Sequence, residues 1–168
     1  MSGKQRKHPV VLGILLLLLL PLLLAAVVAF VAALPFLFLY HLLLRAAVEL
    51  LWGSHGKRIL LVYSRSPVWQ EYIERNWLPK LEPHAVILDW SDRARWKRNR
   101  PFSALVFRHW AGSVDFNPMA IVFPPFRRAR KIGFFYAFRD WKHGKTVQLQ
   151  RLESQLLSIA AELRGESA

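Results

Sequence analysis

The residues best equipped for chemistry are cations set among aromatic rings. Arg93, Arg95, Lys97, Arg98 and Arg100 fall within eight consecutive positions, with Trp90 before them and Trp96 between them. Guanidinium and ammonium groups attract anions, and the rings add flat apolar surface. That combination suits anionic lipid headgroups, where each Lys or Arg near the surface contributes about 1 kcal/mol. It also suits an acidic protein and, less well, single-stranded nucleic acid, whose bases stack on rings. The plain alternative is a solvated loop with one tryptophan turned inward. A second cluster, Arg127, Arg128, Arg130 and Lys131, falls at a predicted hairpin turn, where cations also protect a sheet edge.

Other chemistries fail on residue type or spacing. The histidines at positions 8, 41, 55, 84, 109 and 143 show no zinc spacing, so no metal site is expected. Gly144-Lys145-Thr146 ends like a phosphate-binding loop, but Arg139 stands where the first glycine is required. Thr146 is instead expected to cap the last helix. Ser64 or Ser66, His109, and Asp89 or Asp115 have the residue types of a hydrolytic triad, yet no GxSxG elbow presents a serine. Asp89 and Asp140, each followed by Trp at a predicted strand end, are expected to pair with arginines. There is no cysteine, which excludes disulfides, thiolate metal sites and thiol redox chemistry. No cofactor is expected.

The element that locates everything else is apolar. Residues 10–34 contain no charge. As a helix, 25 residues reach about 37 Å, enough to cross a hydrocarbon core of about 30 Å. The run is longer than the 7–15 residues of a secretory signal core, so an uncleaved single-pass anchor is expected. Residues 1–9 form a basic tail. Pro21 is expected to kink the helix and Pro35 to bound it, with residues 35–52 either extending it or lying amphipathically in the interface. Flanking cations are nearly balanced, which keeps a re-entrant hairpin turning near Pro21 or Ala25 as a rival. The basic domain favours a cytoplasmic C-terminal side.

Residues 53–58 read as a linker and 59–164 as one α/β domain, with a tail at 165–168. Four of the 24 Lys and Arg, and one of the 11 Asp and Glu, precede Trp52, leaving 20 against 10, a net +10. The runs ILLVY (59–63) and AVILDW (85–90) read as strands buried on both faces. Between them, Ser66-Pro67 starts a helix over 67–81, giving a parallel βαβ unit. Residues 103–110 fit a strand or a short helix. Residues 119–123 and 132–138 read as an antiparallel hairpin around a basic turn, and 146–163 as an amphipathic helix.

This order resembles the thioredoxin fold over about residues 57–163, provided 103–110 is helical. The resemblance rests on ILLVY running into Ser64-Arg65-Ser66-Pro67, on Asn117-Pro118 before the strand MAIVF, and on the long last helix. It implies a cis proline at Pro118. The redox members of that family carry Cys-x-x-Cys after the first strand, where this chain has Ser64, Arg65, Ser66 and Pro67. The expected function is therefore a membrane-anchored, non-redox binding or scaffolding module whose basic surface faces anionic lipid or an acidic partner. The rivals are a membrane-bound enzyme using a groove at Ser64, Arg65, Ser66, Pro67, Asn117 and Pro118, and a nucleic-acid-binding membrane protein. A groove closed by Trp69 or Phe116 counts against the enzyme.

Overall fold

The computed structural model describes residues 7–112 and 117–165. The chain divides into two units, Met1–Arg45 and Ala46–Ala168.

The first unit is helical. Helix α1 runs Lys7–Leu51, passing through both Pro21 and Pro35 without a break. The hairpin turn near Pro21 is therefore not formed, and Pro35 does not end the helix. A proline removes one N–H from a ladder that the other residues of so long an apolar run sustain. Its large apolar side chains described between Leu17 and Leu43 are exposed, including Leu20, Leu24, Phe30 and Phe36. This is one helix long and apolar enough to cross a membrane, a measure that a signal sequence also meets. The tail residues 1–6 and 166–168 lie outside the described residues.

The second unit is an α/β domain on a mixed sheet of four strands, ordered β2-β1-β3-β4. β1 (Ile59–Tyr63) runs parallel to β2 (Ala85–Asp89), from Ile59 opposite Ala85 to Tyr63 opposite Asp89. β3 (Met119–Val122) is antiparallel to β1, and β4 (Arg130–Gly133) is antiparallel to β3. The βαβ unit and the hairpin are as expected. β3 and all of β1 but Tyr63 are buried because they hold the centre. β2 is an edge strand, so Ile87 is exposed and the expected two-faced burial does not hold there. The Asn117–Pro118 peptide is cis, directly before β3.

The strand pleat sends alternate residues to opposite faces. Ile59, Leu61, Ala120 and Val122 join Trp77, Phe134, Phe138 and Leu156 in the main core, under helices α2 (Gln70–Asn76), α3 (Leu78–Leu81), α6 (Phe135–Lys142) and α7 (Val147–Gly165). Helix α5 (Phe102–Ala111) packs against β2 and β3.

Two sequence expectations change, and two open readings are resolved. The helix over 67–81 starts at Gln70 and breaks at the fully buried Trp77, because Pro79 has no N–H to continue the ladder. Ser66 still opens it, its carbonyl accepting from Gln70 N–H at 2.9 Å. The basic window is helix α4 (Arg93–Asn99), not a loop. Residues 103–110 are helical, within α5. The strand expected over 132–138 ends at Gly133, and Phe134 opens α6 by accepting from Phe138 N–H at 2.9 Å. Phe134 and Phe138, four apart, thereby bury one helical turn apart, and both rings pack on Trp77, at 4.5 and 5.6 Å. Thr146 starts α7 through its carbonyl, which accepts from Gln150 N–H at 3.0 Å.

Candidate anion-binding cleft

The site is built at the C-terminal end of β2. Asp89 Oδ1 accepts from Ser91 N–H at 2.8 Å and so starts a tight 3-10 turn, Trp90–Asp92, that leads into α4. Arg65, in the loop after β1, fixes this turn. Its guanidinium lies 2.8 Å from Asp89 and 3.3 Å from Asp92, and its backbone N–H donates to Ser91 Oγ at 2.9 Å. Arg95 reaches the other Asp92 oxygen at 3.6 Å. The acid–arginine pairing expected at Asp89 is thus present, and it occupies both carboxylates of the turn. At Asp140 the partner is its neighbour Arg139, at 3.6 Å.

Helix α4 then turns Trp96 inward. Its ring meets Trp90 at 5.6 Å and Phe107 of α5 at 5.8 Å, and Trp90 meets Phe107 at 5.4 Å, all edge to face. Such aromatic contacts add about 0.5–1.5 kcal/mol beyond area burial. With Trp96 buried, α4 presents Arg93, Lys97, Arg98 and Arg100 to solvent. Arg93 lies 5.7 Å over the Trp90 ring. Arg100 ends the helix in the left-handed region at φ 40°, and Pro101 then precedes α5.

Between the two helices lie adjoining clefts of about 610 and 640 Å³ that share Trp96, Lys97 and Arg108. The first adds Arg100 and Leu105; the second adds Arg93, Trp90 and Phe107. The rim therefore carries Arg93, Lys97, Arg100 and Arg108 over an aromatic floor. Its lining contains one hydroxyl, Ser91, and no carboxylate, imidazole or thiol. Lys97, Arg100 and Arg108 form no ion pair among the described residues. Guanidinium forks match phosphate and carboxylate oxygens in pairs, so the cleft is fitted to anions.

Sequence reasoning found Arg93, Lys97 and Arg100 but missed Arg108. The available signal was the helical reading of 103–110, which sets Ala104 and Arg108 four apart on one face. Trp96 is floor rather than exposed contact, Arg95 is tied to Asp92, and Arg98 stands outside both linings.

The second basic cluster divides. Arg130 and Lys131 belong to β4, not to the turn. Lys131 Nζ donates to Ala111 O at 2.5 Å, placing a cation at the C-terminus of α5, where the helix dipole favours it. Arg127 and Arg128 remain exposed near the hairpin tip.

The groove residues occupy one end of the sheet. Val62 pairs with Met119, so the loop after β1 and Pro118 emerge together. Trp69 covers that loop: its Nε1 donates to Ser64 O at 3.1 Å while its ring packs 6.2 Å from both Phe135 and Phe138. Ser66 Oγ meets Val68 N–H at 3.4 Å. Pro67 lines a separate cleft of about 230 Å³ with Tyr72, Arg75 and Trp141. Pro118 is buried, its carbonyl accepting from Phe134 N–H at 2.8 Å. Asn117 Oδ1 is buried with no hydrogen-bond partner among the described residues. Asp115 and Phe116 lie outside them. Nearby, burial and then the charges of Glu74, Asp89 and Glu82 raise the Tyr63 hydroxyl above its ordinary value. No metal-holding group of His, Asp or Glu occurs among the described residues.

Compared with known proteins, the chain matches no family model, no curated protein and no solved structure, so its site is read from its own residues.

Proposed function

We propose that this chain is a single-pass, membrane-anchored binding module whose α4–α5 cleft engages the phosphate groups of anionic lipid headgroups. The observation that carries this reading is the cleft itself: Arg93, Lys97, Arg100 and Arg108 around aromatic rings, with no carboxylate in the lining. The exposed apolar surface of α1 supports the anchor, because such a surface needs an apolar surrounding. A membrane-tethered domain with net +10 then meets headgroups at high local concentration. The excess of cations favours a cytoplasmic face, where anionic lipid is concentrated.

The strand order β2-β1-β3-β4, with β3 antiparallel and one long helix at the end, supports reading the domain as thioredoxin-like. Without cysteine, such a unit binds rather than exchanges thiols.

Immobilised phosphatidylcholine nanodiscs carrying the full chain test the proposal by capture of fluorescent vesicles. Vesicles containing phosphatidylserine are expected to bind, neutral ones not, with binding falling as salt rises. Capture independent of lipid charge and salt removes the lipid reading. Preference for a single-stranded oligonucleotide over the anionic vesicles replaces it with the nucleic-acid one.

A further inference from the structure

Phe126 is the most exposed aromatic residue among the described residues of the domain. It is fully exposed, and its backbone sits at φ 53°, a region bulky L-residues rarely adopt. It lies at the tip of the β3–β4 connection, after Pro124 and Pro125 and before the exposed Arg127 and Arg128. A turn bond from Arg127 N–H to Pro124 O at 3.4 Å closes the tip. Neither arginine forms an ion pair among the described residues. An aromatic ring held outward beside free cations is the chemistry of a membrane interface, where rings sit at headgroup depth and cations meet phosphates.

The root of the same hairpin is fastened to Trp52, just after α1, and through Arg58 to Glu49 in its last turn. The Trp52 ring lies 6.2 Å from Phe123 and 5.3 Å from Phe102. Phe123 N–H donates to Arg58 O at 2.8 Å, and the Arg58 guanidinium grips Glu49 through bonds of 2.7 and 3.1 Å. Only Pro124 and Pro125 separate Phe123 from Phe126, three chain steps with a reach of about 11 Å at most. Within the domain, the tip is thus a short chain reach from the Trp52–Phe123 contact.

We infer that the β3–β4 tip is a second membrane contact, with Phe126 seated at the boundary of headgroups and acyl chains and Arg127 and Arg128 against lipid phosphates. This rests on the membrane anchoring proposed above and adds a contact separate from the α4–α5 cleft. It gives the domain a membrane contact in addition to its chain link to α1.

The chain has no cysteine, so single variants accept a fluorescent label at one place only. The full chain, reconstituted in vesicles of phosphatidylcholine and phosphatidylserine, is labelled at Phe126→Cys, at Arg127→Cys (which keeps Phe126), at Lys145→Cys in an exposed loop, and at Val28→Cys in α1. The expected result is blue-shifted emission at 126 and 127, quenched by a shallow spin label on lipid. The label at 145 is expected to respond to iodide alone, and that at 28 to a deep lipid spin label. If 126 and 127 respond to iodide as 145 does while 28 remains lipid-quenched, the tip contact is refuted and the anchor stands. Shielding of 126 from iodide without quenching by lipid assigns the tip to a protein and also refutes it. Absence of lipid quenching at 28 removes the anchor and this inference together.

Discussion

Reversing two charges on the cleft rim gives the most discriminating test of the lipid-binding proposal. Lys97 of α4 and Arg108 of α5 line both adjoining clefts. The double variant Lys97→Glu, Arg108→Glu replaces two positive charges by two negative ones, a change of four units. At about 1 kcal/mol per charge near an anionic surface, the upper limit is about 4 kcal/mol, roughly a thousandfold in affinity. Both side chains are exposed, so screening over a Debye length of about 8 Å at physiological salt reduces this. A loss of at least about tenfold is expected, at about 1.4 kcal/mol per tenfold. Neither residue has an ion-pair partner to lose, so stability should stay within about 0.5 kcal/mol, checked by a thermal melt. The control is Lys145→Glu with Arg151→Glu, which makes the same change of net charge at exposed positions away from the cleft. Vesicle capture by nanodisc-held chain is then measured for each across a salt series. Equal losses in the two double variants would falsify the cleft and leave only diffuse attraction to a basic protein.

Three further outcomes test the framework around the site. Trp96→Ala is expected to destabilise by about 3–5 kcal/mol and to abolish vesicle capture, whereas Trp96→Phe keeps a ring under the cleft; capture unaffected by the Ala change in folded protein contradicts the aromatic floor. Glu49→Gln weakens the bidentate grip on the largely buried Arg58 and is expected to cost about 1 kcal/mol. Gly53→Ala should act in the same direction, since an added Cβ would sit 2.7 Å from Glu49 Oε1; melts of both variants indistinguishable from the parent count against the clamp. Tyr72 donates to Glu153 at 2.8 Å, and burial first, then this bond, push its hydroxyl from 10.0 up to about 12. Its folded value is raised, so its contribution is complete below pH 10 and disappears as pH rises through about 12. Tyr72→Phe is expected to lose about 0.5–1.5 kcal/mol at neutral pH and to be less sensitive over that alkaline window; denaturant unfolding at several pH values checks both.

Local information was enough for much of this chain. An uncharged apolar run longer than a bilayer is thick has few alternatives to a helix, and α1 is one. Absence of cysteine disposes of thiol chemistry without any fold. Continuous β-branched and leucine runs marked β1 and β3, and repeating leucines marked α7, because strand and helix periods differ along the chain itself. What sequence left open depended on neighbours far away. Residues 132–138 carry apolar side chains compatible with either period; the chain turns helical after Gly133 because Phe134 and Phe138 then both reach the core beside Trp77. The basic window looks like a solvated loop until α5 supplies Phe107 for Trp96 to pack on, and that packing brings Arg108 and Lys97 to the lining of one cleft. Lys131 reads as one more surface cation, yet the return of β4 beside the end of α5 makes it a helix cap. Composition and periodicity thus determined a long apolar helix joined to a basic α/β domain. Which cations stand free, and which are already bound to carboxylates and carbonyls, was decided by tertiary structure, because ion pairing depends on distances across the fold that no spacing along the chain encodes.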